Sequence, residues 1–244
     1  MSSRFIEEDH CFDFNDDWRF VVAWDKHPVY RDGVRKVKEG KGVDFIGIHR
    51  EKTLVFIEVK DFRQHRASGG WDRKDPPWVE FQKKVVSSVA ALVGAHRTGA
   101  YEADCAPLSS ALINRNKLKL VFWLDEPEHS NILGPARDMR RRVGAGVRTQ
   151  QVKRYVNWLD VRASSASLVT DYASLLPGLQ VTSLPHNMEA RAALVVTELT
   201  KRNLPVDKAD EKTITTERRP EKINDWLERV PFVTSAKDLL RGRS

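Results

Sequence analysis

Hydrophobic residues along the chain recur with a period of two in some segments and near 3.6 in others, and the order of those segments sets the expected architecture. Two β-rich runs, Val43-Asp44-Phe45-Ile46-Gly47-Ile48-His49 and Leu54-Val55-Phe56-Ile57-Glu58-Val59-Lys60, flank the polar Arg50-Glu51-Lys52. Such runs around a short polar loop predict a hairpin. Asp75-Pro76-Pro77 then opens a helix over about 77–97, with Phe81, Val85, Val89, Leu92 and Val93 on its buried face. Residues 117–124 read as a further strand, so that 43–124 form a ββαβ unit with the crossover a mixed sheet requires.

The flanking segments are less sharply patterned. Asn15-Asp16-Asp17 can cap a short helix reaching Trp24, although Phe20-Val21-Val22 also suits a strand. Downstream, the pattern predicts a basic helical stretch over 136–159, a strand at Leu179-Gln180-Val181-Thr182, and a helix over 187–203 with Pro205 just beyond it. Residues 206–222 are charged and poor in apolar residues, which reads as a linker. The expected plan is a domain over 1–205, with its core at about 5–125 and an extension over 126–205. A charged linker and short C-terminal segment then occupy 206–244. No internal repeat or low-complexity tract interrupts this plan.

Candidate chemistry lies in the hairpin. Side chains alternate along a strand, so Glu58 and Lys60 share one face with Leu54 and Phe56, while Val55, Ile57 and Val59 share the other. Apolar residues on both faces predict an interior strand with two charged groups at its end. A turn centred on Glu51 sets Asp44 opposite Glu58, with Cβ atoms roughly 4.5–5.5 Å apart. Two carboxylates so placed repel unless a proton or cation lies between them. Oxygen ligands of this kind suit Mg²⁺, a hard ion that takes one or two carboxylates and keeps several waters. Lys60 beside them can orient a water or help to deprotonate it.

Val43-Asp44 followed by Glu58-Val59-Lys60 resembles the signature of the PD-(D/E)XK nucleases, with Val43 in place of the proline. The resemblance covers about residues 5–125 and extends through Ile57-Glu58-Val59-Lys60-Asp61-Phe62-Arg63. It implies an α/β fold with a restriction-endonuclease-like αβββαβ core, a mixed central sheet flanked by helices, and C-terminal helical additions. It further implies that Asp44 and Glu58 bind Mg²⁺, with Mn²⁺ as a substitute, that the Val59 carbonyl adds a ligand, and that Lys60 serves the attacking water. The extra acid that family often carries near its first helix has several candidates, Glu7, Glu8 and Asp25. Gln82 resembles the start of the Gln-x-x-x-Tyr addition of RecB-like members, but Val86 stands at the tyrosine position and that subgroup is not assigned.

Composition narrows the partners. The 41 Lys and Arg exceed the 34 Asp and Glu, for a net charge of +7, and a basic surface attracts polyanions. Arg137, Arg140, Arg141, Arg142, Arg148, Lys153 and Arg154 crowd one stretch, a pattern that neutralises phosphates or simply faces solvent. Arg63 and its neighbours His65, Arg66, Trp71 and Arg73 form a second candidate contact for nucleic acid, and Lys84 on the polar side of the helix a third. DNA is the expected partner and RNA the alternative. No base-reading motif separates them.

Other chemistries find no motif. The seven histidines show no zinc spacing, the serines no Gly-x-Ser-x-Gly elbow, and no phosphate-binding glycine loop is present. Cys11 and Cys105 form no paired motif, which suits a reducing cytoplasm, and no apolar run has the length of a membrane span. The resemblance thus implies a magnesium-dependent endonuclease of bacterial restriction, antiphage defence or repair, acting as a homodimer or within a larger defence complex. The alternative is an inactive nucleic-acid-binding or scaffold subunit of such a complex.

Overall fold

A computed structural model describes residues 2–61, 63, 77–99, 102–114, 117–125, 146–147, 149–154, 156–168 and 171–241. The chain divides into two compact units, one over Phe14–Gly178 and the other combining Ser2–Asp13 with Leu179–Ser244.

The first unit is mixed α/β. Its strands are β3 (Trp18–Ala23), β4 (Phe45–His49), β5 (Thr53–Asp61), β6 (Lys117–Asp125) and β7 (Val161–Ala166), hydrogen-bonded in that order. The first three pair antiparallel, whereas β5–β6 and β6–β7 are parallel. Residues 18–24, where helix and strand competed, form β3 and a short 3-10 turn at Trp24–Lys26. Pairing with β4 favours the extended form of Phe20-Val21-Val22, and the register shifts between Arg19 and Val22 around a left-handed Phe20. At Gly47, opposite this irregularity, an added Cβ would lie 3.0 Å from Val21 Cγ2. The close approach therefore calls for a residue without a side chain.

The β4–β5 turn is closed by the Lys52 N–H donating to the His49 carbonyl, with Arg50 and Glu51 both left-handed at φ 48° and 58°. Two positive φ values match the right-handed strand twist at some conformational cost. Arg50 offsets part of this by donating its N–H to the Asp17 carbonyl and its guanidinium to the Asp17 carboxylate. The resulting register sets Phe45 opposite Ile57 and His49 opposite Thr53. Helices α1 (Pro28–Asp32), α2 (Pro77–Thr98), α3 (Glu102–Ile113) and α4 (Tyr172–Leu175) also belong to this unit.

One face of the sheet, including Ile46, Leu54, Phe56, Leu120 and Phe122, shares a core with Phe81, Val85 and Leu92 of α2 and Leu108 of α3. Phe81 stacks on Phe122 with ring centres 5.3 Å apart. Burying each such side chain contributes about 1.5–3 kcal/mol, which anchors α2 across the end of β5. Helix α3 breaks the simple expectation of one helix per crossover, and Pro107 lies within it.

The second unit has a three-stranded sheet in the order β1 (Ser3–Glu7), β2 (His10–Phe14) and β8 (Leu179–Ser183). Helix α5 (Met188–Lys201) follows, capped by Asn187. The expected linker at 206–222 is instead largely helical, in α6 (Lys208–Thr215) and the start of α7 (Pro220–Arg229), with α8 (Ala236–Leu240) beyond. Asp207 caps α6 through two backbone N–H groups. Ile214, Ile223, Trp226, Leu227, Val230 and Leu239 join Val195 and Leu199 in one core. Sparse apolar residues suffice because each falls on the buried stripe of its helix. The contact boundary thus lies at Gly178/Leu179 rather than near residue 205. No helix among the described residues is long and apolar enough to cross a membrane.

Candidate active site

Asp44 stands just before β4, and the Phe45–Ile57 pair brings it opposite Glu58. Both acids are buried, with Asp44 5% exposed and Glu58 0%. Backbone and side-chain bonds fix Asp44: its N–H donates to the Ile57 carbonyl at 3.1 Å, and its Oδ2 accepts the Val59 N–H at 2.6 Å. Its carbonyl accepts the Trp24 N–H at 2.7 Å. One residue earlier, the Val43 N–H donates to the buried Ser88 hydroxyl of α2 at 3.1 Å. The strand entrance is therefore tied to β5, the Trp24 turn and α2 together.

Two lysines neutralise this pair. Lys60 Nζ lies 2.9 Å and Lys84 Nζ 2.6 Å from Glu58 Oε1, and Lys84 also reaches Asp44 Oδ1 at 3.4 Å. Both ammoniums are therefore concentrated on Oε1, while Glu58 Oε2 is buried with no hydrogen-bond partner. Burial, and then the charge of Asp44, push the Glu58 carboxyl up to about 7 against the pull of both lysines. Burial opposes the Lys84 ammonium, but Glu58 and Asp44 outweigh it and raise its pKa above the usual lysine value.

Lys84 is the main correction to the expected site. The sequence pattern puts it on the polar side of α2, as a candidate nucleic-acid contact or a solvated cation, yet it is only 8% exposed and points into the acid pair. Its position three residues after Phe81 and four before Ser88 puts it on the buried stripe. A cation on an apolar stripe was the signal that could have revealed it. Lys83 on the same helix is exposed.

Of the candidates for the extra acid, Asp25 sits in the Trp24–Lys26 turn with a buried Oδ1 that has no hydrogen-bond partner. Burial raises its pKa, Lys26 opposes that, and the Asp44 charge raises it further. Glu7 and Glu8 belong to the second unit, and Glu8 occupies the exposed turn after β1 with a left-handed backbone. Val59 contributes its N–H to Asp44. Arg63 is engaged by Asp61, to which its guanidinium donates at 2.5–3.0 Å. Arg140, Arg141 and Arg142 lie outside the described residues, as do Arg137, Arg148, His65, Arg66, Trp71 and Arg73.

Asp44 and Glu58 form a two-carboxylate donor set. Among the described residues no group of three or more His, Cys, Asp or Glu side chains is gathered as a metal site. Two hard oxygen donors fit a magnesium-like ion, which completes its shell with waters and substrate phosphate. The buried Glu58 Oε2, which has no hydrogen-bond partner, agrees with that fit, since a buried acceptor without a partner costs about 1–3 kcal/mol. No family model matches the chain, and neither a curated protein nor a solved structure matches it.

Proposed function

We propose that this protein is a metal-dependent nuclease of the PD-(D/E)XK type that hydrolyses DNA phosphodiester bonds. The observation that carries the reading is the buried Asp44–Glu58 pair, set in register across the hairpin with Lys60 2.9 Å from Glu58. The antiparallel β3–β4–β5 arrangement, followed by a helical crossover to the parallel β6, supports a restriction-endonuclease-like core. In the described chain β2 precedes β3 where that core would begin with a helix.

Asp44 and Glu58 would hold Mg²⁺ or Mn²⁺, with Asp25 close enough to couple electrostatically to Asp44. When bound, the ion supplies positive charge to the reacting phosphate and makes an attacking water more acidic. Lys60, whose side chain remains 16% exposed, orients that water for in-line attack. The water oxygen bonds to phosphorus as the bond to the 3′ oxygen breaks, and the leaving oxygen takes a proton, giving 5′-phosphate and 3′-hydroxyl ends. Lys84 balances the charge of the acids and keeps the pair compatible with burial. Restriction, antiphage defence and repair are the biological settings this chemistry suits, with a homodimer or a larger defence complex as its assembly.

The test is cleavage of plasmid, linear duplex, single-stranded DNA and RNA by the full chain with Mg²⁺, Mn²⁺ or chelator. Cleavage should need the ion and disappear in Glu58→Gln and Lys60→Ala. Cutting that survives both chelator and Glu58→Gln would overturn the assignment, and RNA-only cutting would transfer it to RNA.

A second reading has a specific observation behind it. Lys84 already lies within charge-contact distance of both acids, which would suit a retired site in a nucleic-acid-binding or scaffold subunit. Nucleic-acid binding indifferent to Mg²⁺, with no cleavage of any substrate, would select it.

A further inference from the structure

A second cluster of charge lies toward the opposite end of the same sheet. A cavity of about 390 Å³ is lined by Thr53, Lys117, Lys119, Arg162, Ser164 and Leu175, with His49 at the edge of β4. Register aligns Thr53 with Lys117, Val55 with Lys119, and Lys119 with Arg162. Alternation puts these side chains on the face of Val55 and Ile57, away from the face that carries Glu58 and Lys60. The cavity is therefore separate from the acid pair in both face and position along the strands.

The charge pattern is unusual for a purely structural surface. Lys119 and Arg162 are direct cross-strand partners of like charge, an arrangement that destabilises a sheet unless something neutralises it. No described residue lining the cavity is acidic. The acid whose charge reaches His49 is Asp17, and its carboxylate already accepts from Arg50 at 3.2 Å. Lys119 is held in place by donating to the Leu175 carbonyl, while burial and then Arg162 keep its pKa below the usual lysine value. Thr53 and Ser164 add neutral hydroxyl donors to the wall.

A guanidinium, an ammonium and hydroxyls converging on a concave recess form a donor set for a phosphate dianion. We propose that this cavity binds a phosphate group, either free or carried by a small nucleotide, at a site distinct from Asp44 and Glu58. Neutralising the Lys119–Arg162 repulsion supplies the driving force, and the Leu175 carbonyl holds the Lys119 ammonium at the wall before the ligand arrives.

The experiment is calorimetric titration of the full chain with inorganic phosphate, a nucleoside 5′-monophosphate and the unphosphorylated nucleoside, alongside thermal melts. Wild type should bind a phosphate-bearing ligand and not the nucleoside. Lys119→Met and Arg162→Gln should each weaken that binding about tenfold or more. Without ligand, both variants should melt at or above the wild-type temperature because the repulsion is relieved. Glu58→Gln should bind phosphate as wild type does, which separates this result from any result at the acid pair. Equal affinity for phosphate and nucleotide identifies the free anion as ligand, and tighter nucleotide binding identifies the nucleotide. Absence of phosphate binding by wild type, or unchanged binding by both variants, overturns the proposal. So does an effect confined to oligonucleotides, which would make the cavity part of a nucleic-acid track.

Discussion

Lys84 Nζ lies 2.6 Å from Glu58 Oε1 and 3.4 Å from Asp44 Oδ1, so a lysine from α2 bridges two acids contributed by the β4–β5 hairpin. The contact joins packing to chemistry. The same helix that buries Phe81 and Val85 against the sheet delivers the charge that lets Asp44 and Glu58 stay buried.

Replacing Lys84 by Met should destabilise the protein without a divalent ion, because it leaves two buried acids with less compensating charge. Breaking a buried pair costs about 3–5 kcal/mol, but protonation of Glu58 near neutral pH limits the loss to roughly 1–3 kcal/mol. Denaturant melts with and without Mn²⁺ would measure it, and added Mn²⁺ should recover more stability in Lys84→Met than in wild type. Equal recovery would mean that lysine and ion do not share the same carboxylates.

Glu58 should give stability a characteristic pH dependence. Its folded-state value of about 7 exceeds its ordinary 4.5, so the native state holds the proton more tightly than the unfolded chain. That stabilising contribution is fully present below 4.5 and is lost as pH rises through about 7. Between about pH 5 and about pH 8 the metal-free wild type should therefore lose stability more steeply than Glu58→Gln. Parallel thermal profiles would refute the assignment. Divalent-ion affinity should rise over the same range, because the ion competes with the proton.

Asp44→Asn and Asp44→Ala should separate the structural and chemical duties of that residue. Asn keeps a side-chain acceptor for the Val59 N–H, whereas Ala leaves that buried donor unpaired at a cost of about 1–3 kcal/mol. Both should lose ion-dependent cleavage, but only Ala should show the larger drop in stability. An Asn variant that cleaves like wild type would remove Asp44 from the ligand set.

Trp226→Ala should cost the second unit about 3–5 kcal/mol, the usual penalty for truncating a buried aromatic. Urea unfolding followed by far-ultraviolet circular dichroism would show it. A loss below about 1 kcal/mol would return the C-terminal segment to the role of a linker.

Much of the hairpin was legible in the sequence because its signals are local. Alternation marked β5 as an interior strand, and a turn centred on Glu51 was enough to set Asp44 opposite Glu58. The 3.6-residue period located α2 to within a residue at each end of its expected span, and the apolar run at 117–124 located β6. Strand β7 is not legible in the sequence because Val161-Arg162-Ala163-Ser164-Ser165-Ala166 has little β character of its own, and its extended form rests on parallel pairing with β6. Helices α6 and α7 read as a charged linker in the sequence because their few apolar residues become a core only beside Val195 and Leu199.

The sequence by itself determined the hairpin, the register that sets Asp44 opposite Glu58, and the crossover helix. Only the tertiary structure decided that Lys84 turns inward, that Asp25 couples to Asp44, and that Lys119 meets Arg162 across β6 and β7. The physical reason is range. Alternation and helical period act over a few residues, whereas the energy of a buried charge depends on partners that packing brings from distant parts of the chain.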